Sequence, residues 1–228
     1  MEATVSYLIA SAVTACLLLT YVGFGFYRVI NRRGKVLSLL SATAKAKSMR
    51  GMCVLGSGGH TTEMIHLLDS LPAKVFASLT AVVAATDNHS EKKLKSSRFA
   101  SALSQQGLPL SVFTVPRARE VGQSYFTSIF TTLRASLASM LVVLTSKPDA
   151  VILNGPGTCL PFAAASLLFN SLLFRNTQVI FVESFARTKE LSLSGKLIYR
   201  LHLADRFFVQ WRALADKYDR AEYVGVVC

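Results

Sequence analysis

Seven short apolar runs set the tightest limit on what this chain can fold into. They are "MCVLG" (52–56), "TAVVAAT" (80–86), "LSVFTV" (110–115), "AVILNG" (150–155), "QVIFVE" (178–183), "RFFVQ" (206–210) and "YVGVV" (223–227). Each is rich in β-branched or aromatic residues and apolar along its length, as a strand buried on both faces should be. The intervals between them are long enough for crossover helices, which parallel strands require and hairpins do not. The pattern predicts an open α/β fold over residues 50–228, a doubly wound, mostly parallel sheet of Rossmann type. Ligands of such sheets sit at the carboxyl ends of the strands, so the residues after each run carry the chemistry.

The segment before that domain is of another kind. Residues 3–27 contain no charged side chain. About 20 apolar residues cross a hydrocarbon core, so this run predicts a transmembrane anchor. A cleaved signal peptide would have a basic start and a shorter apolar run, whereas this start carries Glu2. Residues 28–49 read as a basic juxtamembrane linker. Before Gly51 stand Arg28, Arg32, Arg33, Lys35, Lys45, Lys47 and Arg50 against Glu2 alone, half of the formal net charge of +12. Such a flank puts the following domain on the cytosolic side, against anionic lipid. A chain that began near Met49 would then be largely soluble.

Nucleic acid is not the expected partner, because no basic stripe with interleaved aromatics is present. The cysteines, Cys16, Cys53, Cys159 and Cys228, form no CxxC pair. They predict neither a disulfide framework nor a zinc site, and they suit a reducing compartment.

Residues 121–146 hold a single charge, Arg134. Tyr125, Phe126, Ile129, Phe130, Leu133, Leu137, Met140, Leu141 and Leu144 share one stripe of a helix, with Ser and Thr on the other. An arginine at the centre of a second span would cost roughly 2.5–3.5 kcal/mol. The segment reads instead as a helix on the sheet, and both core packing and contact with the bilayer are open to it. "TCLPFAAASLLFNSLLF" (158–174) is too short to span, with Pro161 suited to the first turn of a buried helix.

Three turns carry candidate chemistry. Gly56-Ser57-Gly58-Gly59-His60 follows the first run. Its glycines allow close approach of a ligand, and the helix start offers N–H groups to a phosphate. The dinucleotide fingerprint fails at Thr61, and the G-x-x-x-x-G-K-[ST] phosphate loop is absent. Histidine normally titrates near neutral pH, so His60 could take a proton from a hydroxyl. Glu63, one helical turn on, has two roles open to it: orienting His60, or complementing the helix dipole. The second turn is Asn154-Gly155-Pro156-Gly157-Thr158, rigid and opening another helix. The third is Glu183-Ser184-Phe185-Ala186-Arg187, where Glu183 could accept from sugar hydroxyls and Arg187 bind phosphate, or the two could pair. Asp87 and Asn88 do no more than start a turn. No D-x-D pair signals a metal site.

Taken in order, "GSGGHTTEM", "NGPGTC", "VESFAR" with "LSLSGK", and "VQW" behind one anchor resemble a known family. It is the membrane-anchoring subunit of the dolichol-linked N-acetylglucosaminyltransferase that adds the second sugar in N-glycan assembly. The resemblance implies the acceptor half of a GT-B glycosyltransferase, inactive alone, whose donor half is a separate soluble subunit. It implies inverting β-1,4 transfer from UDP-GlcNAc to GlcNAc-diphosphate-dolichol at the endoplasmic reticulum membrane; the sequence itself signals neither cofactor nor metal. His60 and Glu63 would then be catalytic. Ser57, Gly58, Gly59, Gly155, Pro156, Gly157, Thr158, Glu183, Ser184 and Arg187 would hold the acceptor and its diphosphate. The soluble subunit would dock near Tyr223 to Cys228. Two other readings stay open: a scaffold without catalytic residues, and a nucleotide-dependent Rossmann oxidoreductase.

Overall fold

The computed structural model describes residues 2–32, 48–87, 89–117 and 125–227. Most of the basic linker, Asn88, residues 121–124 and Cys228 lie outside the described residues. A long helix, α1 (Glu2–Arg32), precedes β1 (Met49–Val54), α2 (Gly59–Asp69), β2 (Phe76–Ala84), α3 (Ser90–Lys95), α4 (Arg98–Gln105) and β3 (Leu110–Val115). The second half runs α5 (Tyr125–Ser146), β4 (Ala150–Asn154), α6 (Cys159–Leu172), β5 (Gln178–Val182), α7 (Leu193–Arg200), β6 (Arg206–Val209), α8 (Arg212–Lys217) and β7 (Ala221–Tyr223). All seven strands join one sheet in the order β3-β2-β1-β4-β5-β6-β7, and every pairing is parallel. The chain therefore works outward from β1 to β3, returns beside β1, and works outward again. The switch point lies between β1 and β4, where this class of sheet opens a crevice.

Alternation along the strands divides the core in two. Met52, Val54, Val151, Leu153 and Phe181 face α5, α6 and α7 through Val143, Phe162, Phe169 and Ile198. On the opposite face Cys53, Leu79, Ala81 and Val83 meet Met64 and Leu68 of α2 and Phe99 and Leu103 of α4. Burial pushes the thiols of Cys53 and Cys159 up to about 12. They are inert fillers.

Two strands depart from the expectation of burial on both faces. β3 and β7 are the sheet's edges, and Phe113 and Tyr223 are exposed there. The last strand also ends early: β7 covers Ala221–Tyr223 rather than 223–227. Gly225 takes φ +78, which breaks the extended run. The residues beyond are still tied to the edge, by Val224 N–H to the Val209 carbonyl at 3.2 Å and Val227 N–H to Gln210 Oε1 at 3.0 Å.

Helix α1 runs past residue 27 to Arg32, since no breaker interrupts it, so the start of the expected linker is helical. Its last turns are bolted to α6. Tyr21 donates to the Leu172 carbonyl, and a Cβ on Gly25 would overlap the Ser171 carbonyl. The Arg28 guanidinium donates to the carbonyls of Asn170 and Arg175, at 3.2 and 3.1 Å, and lies over the Phe174 ring. Residues 11–20 are exposed throughout and long enough, with the turns before them, to suit membrane anchoring.

Helix α5 packs through its small residues. Ser128, Ala135, Ser139, Val142 and Val143 are buried, while Ile129, Phe130, Leu133, Leu137 and Leu141 are 59–68% exposed. These five therefore face away from the sheet, whereas Met140 and Leu144 of the same expected stripe pack against the core. α6 starts at Cys159, and Pro161 sits buried in its first turn, as expected.

Candidate functional site

The first turn is built to leave a helix start open. Gly58 takes φ +64, ψ −122, a conformation an L residue rarely adopts, and hands over to α2 at Gly59. No side chain caps α2, so its first N–H groups are left to the turn. The turn is braced from behind: the buried Thr61 hydroxyl donates to the Gly56 carbonyl and meets Ser90 Oγ. Ser90 and His89 N–H in turn donate to Asp87 at 3.0 and 3.1 Å. Burial pushes the Asp87 carboxyl up, but the Ser90 hydroxyl bond and these N–H bonds outweigh it and hold it below its ordinary value. Asp87 thus starts the α3 turn, as the sequence suggested.

The second turn adjoins the first across the switch point. Gly155 takes φ +71, and a Cβ there would stand 2.6 Å from His60 Nδ1. The imidazole consequently lies against bare backbone. Gly56 touches His60 on one side and Pro156 on the other, where a Cβ would meet their carbons at 2.6 and 2.7 Å. A cleft of about 320 Å³ opens beside Gly56, Ser57, Pro156, Gly157 and Thr158, with Leu160, Pro161 and Leu193 as apolar wall. Ser57 and Gly58 also border a second cleft toward Asp87, His89, Lys92 and Lys93. His60 is half-buried and forms neither wall.

Glu63 reaches the histidine only through another residue. Its Oε2 accepts from Asn154 Nδ2 at 3.0 Å and its Oε1 from Ser184 Oγ at 2.8 Å. Asn154 Oδ1 lies 3.3 Å from His60 Nδ1. The carboxylate therefore links the ends of β4 and β5, which replaces both the dipole role and direct orientation of His60. Asn154 is the residue that sequence reasoning missed. Its signal was present, as the one polar residue closing the run Ala150–Asn154, every member of which is buried.

The third turn splits its two charged residues. Glu183 is fully buried. Its oxygens accept from the N–H groups of Ser184 and Ser192, both at 3.0 Å, and from Ser192 Oγ at 3.1 Å. Burial raises its carboxyl above the ordinary value, opposed by those bonds. It is occupied in holding the loop to α7, so a sugar contact is corrected to a structural role, while the Arg187 charge still acts on its carboxyl. Arg187 is exposed beyond it. Ser194 Oγ, in the first turn of α7, donates to the Gly155 carbonyl at 2.5 Å and joins that helix to the second turn.

These features define a Rossmann-type α/β domain, with its candidate site at the switch point, carried behind an apolar helix suited to membrane anchoring. A solved UDP-N-acetylglucosamine 2-epimerase aligns with it at TM-score 0.50 and 18% identity, over 78% of this chain and 48% of that one, a likeness of fold. The family model described as "Oligosaccharide biosynthesis protein Alg14 like" matches residues 51–227. The "UDP-N-acetylglucosamine transferase subunit ALG14" of Candida albicans is 41% identical over 196 residues, 84% of this chain and 85% of that protein. The subunit of the same name from Homo sapiens is 38% identical over 193 residues, 83% and 88% of the two chains. The chain belongs to the Alg14 family. Membership displaces the oxidoreductase reading of the sheet.

Proposed function

We propose that this chain is the membrane-anchored acceptor half of a heteromeric UDP-N-acetylglucosamine transferase on the cytosolic face of the endoplasmic reticulum. A soluble subunit supplies the UDP-GlcNAc half, and GlcNAc-diphosphate-dolichol is the acceptor. The relatives' shared designation as a transferase subunit supports the division of labour. The observation that carries the site assignment is His60 seated on Gly155, between two glycine turns and at the start of an uncapped helix.

The chain's residues divide the work by chemistry. The α2 N-terminus and the backbone of Ser57, Gly58 and Gly59 favour the acceptor diphosphate, because unpaired N–H groups and the helix dipole attract anions. Pro156, Gly157 and Thr158 close the other side of the turn. Leu160, Pro161 and Leu193 give an apolar wall for the lipid end. His60 takes the proton of the acceptor 4-hydroxyl as its oxygen bonds to the sugar carbon and the C1–O bond to UDP breaks. Direct displacement inverts that carbon.

The test is transfer from UDP-GlcNAc to a GlcNAc-diphosphate lipid in vesicles carrying the full chain, with and without the soluble subunit. Activity should require both. His60→Ala should lower turnover by about 10²–10⁴, the range for loss of a general base, with the soluble subunit still co-purifying. A normal rate in that variant would make this chain a scaffold.

A further inference from the structure

The hydrogen-bond chain behind His60 favours one arrangement of protons. Asn154 is completely buried. Its amide has two accepting neighbours on one side, Glu63 Oε2 at 3.0 Å and the Val182 carbonyl at 3.3 Å. A peptide carbonyl can only accept, and the Glu63 oxygen accepts beside it, so both call for the amide NH2. Turning the amide over would set its oxygen against those two oxygens, with no proton between them. Glu63 is itself held from behind, because Ser184 Oγ donates to its other oxygen at 2.8 Å. The amide oxygen is therefore the atom that faces His60 Nδ1, 3.3 Å away. An oxygen can only accept, so Nδ1 must carry the hydrogen. In a neutral imidazole this leaves the lone pair on Nε2. Gly155 keeps the ring in place, since any Cβ there would overlap it.

We propose that Asn154, oriented by Glu63 and Ser184, is a positioning residue that fixes the tautomer of His60, with the proton on Nδ1 and the lone pair on Nε2. This rests on the reading of His60 as the base only for its consequence in turnover. The tautomer itself is independent of that reading. Glu63 acts at one remove: it fixes which way the amide points, and the amide fixes the ring. The residues come from three elements, α2, β4 and the turn after β5, so the arrangement exists only in the folded sheet.

The experiment is a long-range nitrogen–proton spectrum of ring-¹⁵N-histidine in the full chain, in lipid nanodiscs with the soluble subunit bound. The chain has four histidines, His60, His66, His89 and His202. His60→Gln assigns the signal of interest by its disappearance. Under conditions where the ring is neutral, the pattern should be that of an Nδ1–H imidazole. Glu63→Gln preserves shape but gives the amide a neighbour that can also donate, so the pattern should become mixed. Asn154→Ala should do the same. In the transfer assay both variants should lose about 10²-fold in kcat, the scale for a misplaced catalytic group, while KM for the lipid acceptor stays near the wild-type value. An Nε2–H pattern in the unaltered chain would overturn the proposal, whether or not the Asn154 variant folds. An unchanged Nδ1–H pattern in Glu63→Gln would overturn the role given to Glu63. If the pattern is as expected yet His60→Ala turns over normally, the base reading fails and the tautomer assignment stands. If His60→Ala is inactive and the unaltered ring is Nε2–H, only the positioning role fails.

Discussion

Glu183 and Arg187 are four residues apart and meet opposite environments. The carboxylate is enclosed, with its oxygens committed to Ser184 and Ser192, while the guanidinium is open to solvent. A buried acceptor engaged in this way organises a loop, whereas an exposed arginine is free to reach a phosphate and bind it bidentately. Arg187→Ala should therefore raise KM for the lipid acceptor, with kcat close to unchanged, because a contact present in both ground and transition states is uniform binding. Steady-state kinetics over acceptor concentration check it, and a pure kcat defect would contradict the assignment.

At the scale of elements, the start of β4 is fastened to β1 by one bidentate pair. Arg50 Nε and Nη2 donate to Asp149 at 3.1 and 2.9 Å, and Arg50 N–H adds a third bond at 2.9 Å. The Arg50 hydrogen bond holds the Asp149 carboxyl below its ordinary value. The folded state thus binds this proton less readily than the unfolded chain does. The stabilisation is present above the unfolded pKa, about 3.9, and is lost as pH falls through the folded value. Both side chains are substantially exposed, so water screens the pair and its contribution is small. Asp149→Asn should lower stability at neutral pH and narrow the gap to wild type in acid. Denaturant titration of the full chain at pH 7 and near pH 3 measures this, and a gap independent of pH would exclude the pair as its source.

Helix α5 makes the second argument at this scale. Its exposed Ile129, Phe130, Leu133, Leu137 and Leu141 belong to the same helical layer as α6, onto which α1 is bolted. That stripe fits the interfacial region of a bilayer, with Arg134 at its edge opposing full insertion. A chain beginning near Met49 should then keep part of its affinity for vesicles, where composition alone predicts a largely soluble domain. Leu133→Glu with Leu137→Glu in that shortened chain should abolish co-sedimentation. Equal sedimentation of the two would show that the stripe does not touch lipid.

For the molecule as a whole, the two ends leave from different sides of the sheet. α1 leaves from the α6 side of the sheet, and β7 forms the far edge, with Tyr223, Val224 and Val226 about half exposed. An apolar strand edge left bare invites pairing with another chain. We expect it to receive the soluble subunit. Deleting Tyr223 to Cys228 should release that subunit and abolish transfer, while the anchor stays in the membrane. Val226→Asp should weaken co-purification and leave the domain resistant to protease, since the side chain it replaces is not core. Retention of the subunit by the shortened chain would place the interface elsewhere.

The sheet and the long apolar helix were legible in the sequence because their signals are local. A buried parallel strand shows as a continuous apolar run, a span shows as an uncharged one, and a glycine turn is marked by the backbone angles only glycine tolerates. The three turns that form the site could be found the same way. What each side chain does there could not. Glu63 meets Asn154 across 91 residues and Ser184 across 121, contacts that exist only because β4 returns beside β1. Whether Glu183 faces a ligand or the core, and which stripe of α5 faces the sheet, depend on the same packing. Periodicity marks which residues share a face, but the tertiary structure decides what that face meets, since partners distant in the chain are chosen by strand order and by the space that small residues leave.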